Sequence, residues 1–316
     1  MSFGPTFTIP EHTKRQLQDG FEAAIAQDQS KFAAVMNIDP AWTSKQYVKR
    51  MAQTREWRVN NTRFGTTAAV EFEAGFRSGF WNSLDAVPVK FDRIDQKLLD
   101  SIPLPTGPVI TEFMAGLERI KDDLFIVAAT APSLGGAEPY ITPTAFPAGN
   151  AIDVGYIKPL VAVGANQGLT PWKVLAARQK FMSTFIDFDR EDMVLAISSD
   201  EEMQLILSAE ASGNDAWAKV TLEWFNKRLA GDKEAKLMGF RVVSSERLAV
   251  DSGTGIRTCV AFAKRAFCVS PMGGLETKMD ILPKDRHALQ VAAYAQFGAF
   301  RVFDEMVLKI PCDPSP

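Results

Sequence analysis

The sequence has few of the residues on which catalytic and metal sites most often depend. Its 316 residues include only two histidines, His12 and His287. Neither has a second histidine or a cysteine at metal-ligand spacing, so we expect no metal site. A Ser-His-Asp triad needs a histidine held beside a nucleophile, and the chain has no G-x-S-x-G motif. We therefore predict no catalytic residue, no bound metal and no cofactor.

Cysteine is scarce as well. Cys259, Cys268 and Cys312 are the whole complement, an odd number in a long chain. This count favours reduced, mostly buried thiols over a disulfide framework. Lys264 and Arg265 lie near Cys268, and such cations can activate a thiol by lowering its pKa. The apolar neighbours of Cys268 instead predict a buried cysteine on a strand.

The chain also lacks an excess of basic charge and any long apolar run. Its formal net charge is −3, whereas nucleic-acid-binding proteins usually carry a strong basic bias. No apolar run approaches the ~20 residues that span a bilayer. Residues 1–20 have no charged start followed by an apolar core, so we predict no secretory signal. We expect a soluble cytoplasmic product that does not bind a membrane.

Neither the glycine-containing segments nor the acidic pairs form a motif. "SLGGAEPY" (133–140) follows a predicted helix and lacks G-x-x-x-x-G-K-[ST], so it is not a phosphate loop. "VAVGANQGLT" (161–170) has no G-x-G-x-x-G and predicts an ordinary turn. Adjacent acidic residues share neither a helix face nor a strand face. That spacing favours solvated surface over paired acid–base carboxylates. We predict such an exposed setting for Asp122-Asp123, Glu201-Glu202 and Asp304-Glu305.

The first 40 residues are polar and mixed. Residues 14–36 space apolar side chains at roughly helical intervals, and Asn37 to Pro40 ends the pattern. We predict an amino-terminal arm with a short helix that need not belong to a core.

Residues 42–95 contain a pattern of period two. Val70, Phe72, Ala74 and Phe76 alternate with polar or small residues, as in a strand with one covered face. A long two-stranded ribbon is not stable alone in water. Its aromatic residues must therefore pack on this chain's own core, which is the ordinary arrangement, or on a neighbouring subunit. The residues concerned are Phe72, Phe76, Phe80 and Trp81.

The clearest helix covers about residues 108–130. Thr106 is a candidate cap and Pro108 falls in the first turn. Apolar residues recur at helical spacing and predict one buried face. The predicted core face consists of Ile110, Phe113, Leu117, Ile120 and Leu124.

The middle of the chain, from about 150 to 250, has an α/β pattern. Thr170 followed by Pro171 predicts a helix start, and Ser199 or Asp200 predicts another. Between these helix starts, residues 192–199 form a short apolar strand. "KLMGFRVVSSERL" (236–248) then predicts a buried strand, entered through a glycine and left through a polar turn. Its core residues are Phe240, Val242 and Val243.

Several segments in the second half resemble the major capsid proteins of tailed bacteriophages with the Hong Kong 97-like fold. "LTPWKVLAARQKFMSTFIDFDREDMVLAISSDEEMQLIL" is similar to the helix–strand–helix segment of that family. "KLMGFRVVSSERL" is similar to its recurring "-GF-V-S--L" strand. "KRAFCVSPMGGLETKMDILPKDRHALQVAAYAQFGAFRVFDEMVLKI" is similar to its carboxyl terminus, including a "-A---GA-R-----V--I" strand. The resemblance covers about 160–310 in detail and the first half by order of elements.

The resemblance implies an α+β chain with four parts. Residues 1–45 would be an amino-terminal arm that reaches neighbouring subunits, and 46–98 an extended β-hairpin loop. Residues 99–149 and 251–316 would form a peripheral domain with a long spine helix and a β-sheet. Residues 150–250 would form an axial α/β domain. The aromatic residues Phe72, Phe76, Phe80 and Trp81 would then contact the adjacent subunit.

The resemblance also implies the partners. The chain would assemble with itself into pentamers and hexamers, which form an icosahedral shell around double-stranded DNA without sequence-specific binding. We expect a separate scaffolding protein, a portal and a decoration protein, with assembly in the host cytoplasm before incorporation in the virion. An encapsulin-like compartment or a gene-transfer particle is the alternative shell. A soluble α/β enzyme with a site that leaves no motif is the alternative of a different class, and a tail or adaptor protein fits the α/β middle poorly.

Overall fold

The computed structural model describes residues 27, 29–52, 74–91, 106–159, 161, 164–211, 216–232, 235–271, 273–285 and 287–314. The described residues form two compact units. The smaller unit contains those of 1–30, 83–120 and 272–296, and the larger contains those of 31–82, 121–271 and 297–314.

Helices and strands are both well represented in this part of the chain. The α-helices are α1 Thr106–Thr130, α2 Pro171–Ser183, α3 Ser199–Ala211 and α4 Ala216–Leu229. The strands are β1 Gln46–Ala52, β2 Ala74–Phe80, β3 Asn82–Asp85, β4 Val89–Phe91, β5 Ser133–Gly135, β6 Thr142–Thr144, β7 Met193–Ile197, β8 Lys236–Leu237, β9 Phe240–Ser244, β10 Arg257–Ala263, β11 Phe267–Val269, β12 Gly273–Leu282, β13 Ala288–Phe297, β14 Ala299–Arg301 and β15 Val307–Cys312.

A five-stranded sheet in the larger unit has the order β15-β10-β7-β9-β8. β7 and β9 are parallel, and the other neighbouring strands are antiparallel. All five residues of β7 are buried, as a strand covered on both faces requires. Phe240, Val242 and Val243 lie on β9, and Gly239 precedes them with a φ of +94°. The strand predicted within 236–248, with its glycine entry, is therefore confirmed, although Val243, predicted in the core, is half-buried.

The sheet crosses the domain boundary expected at residue 250. β10 and β15 lie in the segment that the sequence assigned to the peripheral domain, yet they pair with each other and β10 pairs with β7. β10 has apolar residues on both faces and five buried residues. A strand with apolar residues on both faces must be covered on both sides, and residues from the middle of the chain, 150–250, provide this cover.

Local capping signals set two helix starts in this unit. The Thr170 hydroxyl accepts a hydrogen bond from the Lys173 backbone N–H at 3.3 Å, and Pro171 is the first residue of α2, as predicted. The cap of α3 lies one residue earlier than predicted. The Ser198 backbone N–H donates to the Glu201 carboxylate at 3.2 Å, which is the reciprocal half of a capping box.

The predicted ribbon is an antiparallel hairpin of β1 and β2. Its register runs from Gln46 opposite Phe80 to Ala52 opposite Ala74. β2 continues the sheet through β5 to β6. The tip of the hairpin, including Phe72, lies outside the described residues.

The smaller unit contains the sheet β12-β13-β3, with β4 also paired to β13. Lys90 of β4 and Asp285 form an ion pair at 2.5 Å. A cavity of about 340 Å³ is lined by Phe113, Leu117 and Ile120 of α1 together with residues of β13.

The buried face of α1 differs from the predicted one in the helix's second half. Leu117 is buried, and Ile110, Phe113 and Leu124 are half-buried, but Ile120 is 42% exposed. The buried apolar residues beyond it are Phe125, Ile126 and Ala129. Residues 124–127 are all apolar, so helical spacing alone cannot select among them. Packing selects Phe125, whose ring lies 4.8 Å from that of Phe267 and 5.5 Å from that of Phe262.

The amino-terminal arm needs a correction from residue 31 onward. Phe32, Val35 and Trp42 are almost completely buried in the larger unit. The backbone N–H of Lys31 donates to the Asp122 carboxylate of α1 at 3.0 Å. This part of the arm belongs to the subunit's own core, because its three large apolar side chains find covering partners there. The predicted helix over 14–36 falls mostly outside the described residues.

Gly298, the glycine of the "GA-R" segment, should not tolerate a side chain. A Cβ atom there would lie 2.6 Å from the Phe80 carbonyl oxygen and 2.8 Å from the Trp42 ring. We expect Gly298→Ala to lower the free energy of unfolding by about 1–3 kcal/mol through overpacking. Chemical denaturation of the unassembled subunit measures this loss of stability. Gly149→Ala is the control, because no atom lies within 4 Å of its added Cβ; equal losses in both variants would contradict the prediction.

Candidate functional site

The carboxyl end of α1 is capped by two cations from distant strands. Its last turn contains no basic residue of its own, although the final carbonyl groups of a helix need donors and favour positive charge. Arg301 of β14 is fully buried and donates to the carbonyl oxygens of Ala129 and Ala131 at 3.0 and 2.9 Å. Lys309 of β15 donates to that of Thr130 at 2.8 Å. We call this group of contacts the helix-end clamp.

Asp304 balances the charge of the clamp and connects it to the hairpin. Arg301 donates to its carboxylate through Nε, and Arg77 of β2 donates to the same carboxylate. Asn150 donates through its side chain to the Asp304 carbonyl oxygen at 2.6 Å. Both guanidinium groups are largely buried. The base of the hairpin is therefore attached to the end of α1 through one shared carboxylate.

The ring of Phe146 covers the outer side of the clamp. The Lys309 ammonium lies 4.1 Å from the ring centroid and the Arg301 guanidinium 4.7 Å from it. Cations over an aromatic face are attracted by its quadrupole. Burial lowers the pKa of Lys309, and the neighbouring Arg301 charge lowers it further.

A second polar group, which we call the hairpin pin, holds β1. The Asp39 carboxylate accepts hydrogen bonds from Lys49 Nζ at 3.0 Å and from the Tyr47 hydroxyl at 3.2 Å. The Cys268 thiol of β11 lies 3.6 Å from the same oxygen. Burial raises the pKa of Asp39, but hydrogen bonds from Lys49 and the Ala41 backbone lower it more, so the net shift is downward. Burial raises the pKa of Cys268 to about 12, which leaves the thiol protonated and unreactive.

The polar turn after β9 connects three elements of the larger unit. Glu246 accepts a hydrogen bond from the Ser199 backbone N–H at 2.7 Å, at the start of α3, and pairs with Arg257 of β10 at 3.1 Å. The hydrogen bonds from Ser199 are the main cause of the lowered pKa of Glu246. Arg247 pairs with Asp123 of α1. The turn serves as a structural junction.

The structure corrects the exposed setting that the sequence predicted for the three acidic pairs. Asp122 and Glu201 are fully buried, and the Asp304 side chain is only 13% exposed. In each pair the first residue turns inward and accepts hydrogen bonds from a distant or capping partner. The rule that neighbours point to different faces was correct. What it does not say is that one of the two faces is the core.

The four aromatic residues predicted to contact a neighbour are partly engaged within the subunit. The Phe76 ring lies 5.1 Å from that of Tyr140. Trp81 packs on the buried cluster of Trp42, Cys268, Phe300 and Val302. Phe80 is half-buried, and Phe72 lies outside the described residues. Contact of these residues with an adjacent subunit stays a prediction.

Metal-binding clusters and membrane-spanning helices are both absent from the part of the chain that the structure describes. Within this part, no three His, Cys, Asp or Glu side chains are grouped so that they could hold a metal ion. Cys259, Cys268 and Cys312 are free and buried, as the sequence predicted. None of the described helices is long and apolar enough to cross a membrane.

Comparison with known proteins identifies the chain. Residues 9–314 match the family described as Phage capsid protein. The capsid of Ralstonia phage GP4 superimposes with a TM-score of 0.67 at 14% identity and covers 100% of both chains. The capsid of an empty GTA particle gives 0.61 at 13% identity, with 94% of each chain covered. The SrpI encapsulin of Synechococcus elongatus gives 0.59 at 10% identity, with 96% of each covered. No curated protein is significantly similar to the chain.

The fold is thus that of the Hong Kong 97-like shell proteins, and the sequence resemblance is confirmed. The chain belongs to the phage capsid protein family. It is a major capsid protein, a structural component of the virion that assembles with copies of itself into a shell.

The helix-end clamp gives a strong prediction for Arg301. We expect Arg301→Met to lower the free energy of unfolding by about 3–5 kcal/mol, because Asp304 and the helix carbonyls lose a buried partner. The urea midpoint of the unassembled subunit is the measurement. Arg190→Met is the control, since the Arg190 side chain is 87% exposed, and it should stay within about 0.5 kcal/mol. A wild-type midpoint for Arg301→Met would show that the clamp contributes nothing.

The hairpin pin predicts a pH-dependent contribution from Asp39. The folded-state pKa is lowered, so the stabilisation is complete above the unfolded-state pKa of about 3.9 and is lost as pH falls through the folded value. At pH 7, Asp39→Asn should be less stable by about 1–2 kcal/mol. This difference should begin to shrink below about pH 4 and close as pH falls through the lower folded-state pKa, as denaturation at several pH values can measure. Lys49→Met should reduce the same pH dependence; a difference that stays constant down to pH 2.5 would contradict the assignment.

Proposed function

We propose that the chain forms pentamers and hexamers that close into an icosahedral shell around the double-stranded DNA of a tailed bacteriophage. The observation that carries this proposal is the end-to-end agreement with the capsid of Ralstonia phage GP4, at a TM-score of 0.67 over 100% of both chains. Copies in such rings meet through heterologous contacts, in which each chain presents two different surfaces.

This proposal assigns each sheet, and the hairpin, to a part of the capsid subunit. The five-stranded sheet with α2, α3 and α4 would be the axial domain, and it includes β10 and β15. The sheet β12-β13-β3 with the first half of α1 would belong to the peripheral domain. The hairpin of β1 and β2 would be the extended loop, with its tip on the adjacent subunit. The clamp and the pin hold the base of that loop, so that a load on the hairpin passes to α1.

The charge of the chain favours a shell wall that encloses DNA over a surface that binds DNA. A formal net charge of −3 gives no general attraction for phosphates, whose neutralisation by Lys and Arg dominates DNA affinity. A shell of this composition confines packaged DNA without holding it. The proposed role needs no catalysis, metal or cofactor.

The proposed partners, besides further copies of the chain, are a scaffolding protein, a portal and a decoration protein. Assembly would occur in the host cytoplasm, before packaging of DNA. The buried arm residues support a separate scaffolding protein, because the segment from Phe32 to Trp42 is used in the subunit's own core.

A second shell function is favoured by two of the structural similarities. The GTA particle and the SrpI encapsulin share the fold at TM-scores of 0.61 and 0.59, so a gene-transfer particle or an encapsulin-like compartment is the runner-up. The contents of purified particles would distinguish a phage capsid, a gene-transfer particle and an encapsulin-like compartment. Phage capsids would hold one genome, gene-transfer particles mixed host fragments, and encapsulin-like shells a protein.

The proposal is tested by expressing the chain alone and together with the neighbouring scaffolding gene. We expect closed shells tens of nanometres across, or rings of five and six, in negative-stain images and size-exclusion chromatography. Replacing residues 56–70 by a short glycine–serine turn should abolish shells and leave a folded subunit, because the proposed contact on the adjacent subunit is removed. A monomer under every condition would favour the soluble α/β enzyme, and normal shells from the shortened hairpin would refute its role.

A further inference from the structure

The turn after α2 displays an aromatic side chain at full exposure. Phe185 is 96% exposed and has a φ of +60°, a left-handed conformation that bulky residues rarely adopt. Such strain persists where the surrounding structure enforces it, and it points to a function.

The residues on each side of Phe185 hold this turn rigid. Phe181 is fully buried and Ile186 is 8% exposed. The Ile186 backbone N–H donates to the Phe181 carbonyl at 3.1 Å, and the Phe185 N–H donates to that of Met182 at 3.1 Å. The Thr184 hydroxyl also donates to the Phe181 carbonyl, at 2.9 Å. The backbone of the turn is therefore fixed at Phe185, so little backbone entropy is left to lose on binding.

The opposite end of α2 carries a cavity of about 470 Å³. Ile157, Pro171 and Trp172 supply apolar and aromatic walls, and Lys158, Thr170 and Ser208 contribute polar groups. The 13 residues of α2 span ~20 Å, so the cavity and Phe185 lie on separate surfaces of one subunit. A Phe side chain suits such a site, because aromatic rings pack well edge-to-face or offset against a ring such as that of Trp172.

We propose that Phe185 of one subunit inserts into the Trp172 cavity of the next subunit in the ring. The occupant is a second copy of this chain, because the proposed function, on which this inference rests, requires a heterologous contact between two different surfaces. Charge supports the pairing. Asp189 is exposed beside Phe185, as is Asp187, which pairs with Arg190 at 3.5 Å, and Lys158 is exposed at the cavity. The contact would place an aromatic anchor in a pocket with an ion pair at its rim, the usual anatomy of an interface hot spot.

The sharpest test is Phe185→Gly. Glycine adopts a positive φ without strain, so the isolated subunit should unfold at the same or a higher denaturant concentration than wild type. Ring and shell formation should nevertheless fall at least tenfold, because the anchor is gone. Leu229→Ser is the matched control, since Leu229 is 70% exposed at the end of α4 and should assemble like wild type. Normal assembly of Phe185→Gly would overturn the inference, as would an equal loss in Leu229→Ser.

Cross-linking identifies the partner residue. In the double variant Phe185→Cys with Ser208→Cys, mild oxidation should give a ladder of up to five or six disulfide-linked chains on a non-reducing gel. Each single variant should stay monomeric on the gel, and the natural cysteines should not interfere because all three are buried. Rings without a ladder would overturn the Phe185 contact alone. Failure of the wild-type chain to form any ring would overturn the proposed function and this contact together.

Discussion

The larger unit depends on the burial of one guanidinium group at the end of a long helix. The last carbonyls of α1 need donors in a place that water does not reach, and Arg301 supplies them from β14. A buried cation in turn requires a counter-charge, which Asp304 provides. Because Asp304 also binds Arg77 of the hairpin, the helix, the carboxyl-terminal strands and the hairpin base are fixed by one charge balance. A change at any of the three disturbs the other two.

This balance suits a subunit that must keep its form while copies bind each other. The hairpin base has two attachments, to Asp304 through Arg77 and to Asp39 through Lys49 and Tyr47. Both are charge-assisted hydrogen bonds, which are stronger and more directional than neutral ones. They hold the strands at defined positions, whereas apolar packing alone would tolerate small shifts. Assembly into a closed shell needs such precision, since an error in one contact is repeated in every copy.

The sequence predicted the fold wherever the signal was local. The cap and proline at Thr170 and Pro171, the apolar run of β7 and the glycine entry to β9 are each contained in a few consecutive residues, and the structure has them as predicted. The candidate site was predicted less well. Arg301 stood in the resemblance motif without a role, and Asp122, Glu201 and Asp304 were assigned to the surface. A lone arginine after "GAF" near a strand end was the signal available for the clamp.

Composition, periodicity and caps by themselves determined that the chain is globular, with a hairpin, a long helix and a buried α/β middle. The shell-protein role came from the resemblance of the quoted segments to the phage capsid family. Tertiary structure alone decided which charges are buried, which face of the second half of α1 is covered and which sheet β10 and β15 join. The reason is distance along the chain. Arg77 and Asp304 are 227 residues apart, and Asp39 and Cys268 are 229 apart. A helical or strand period describes neighbours within a few residues, whereas the partners of a buried charge are chosen by the folded chain.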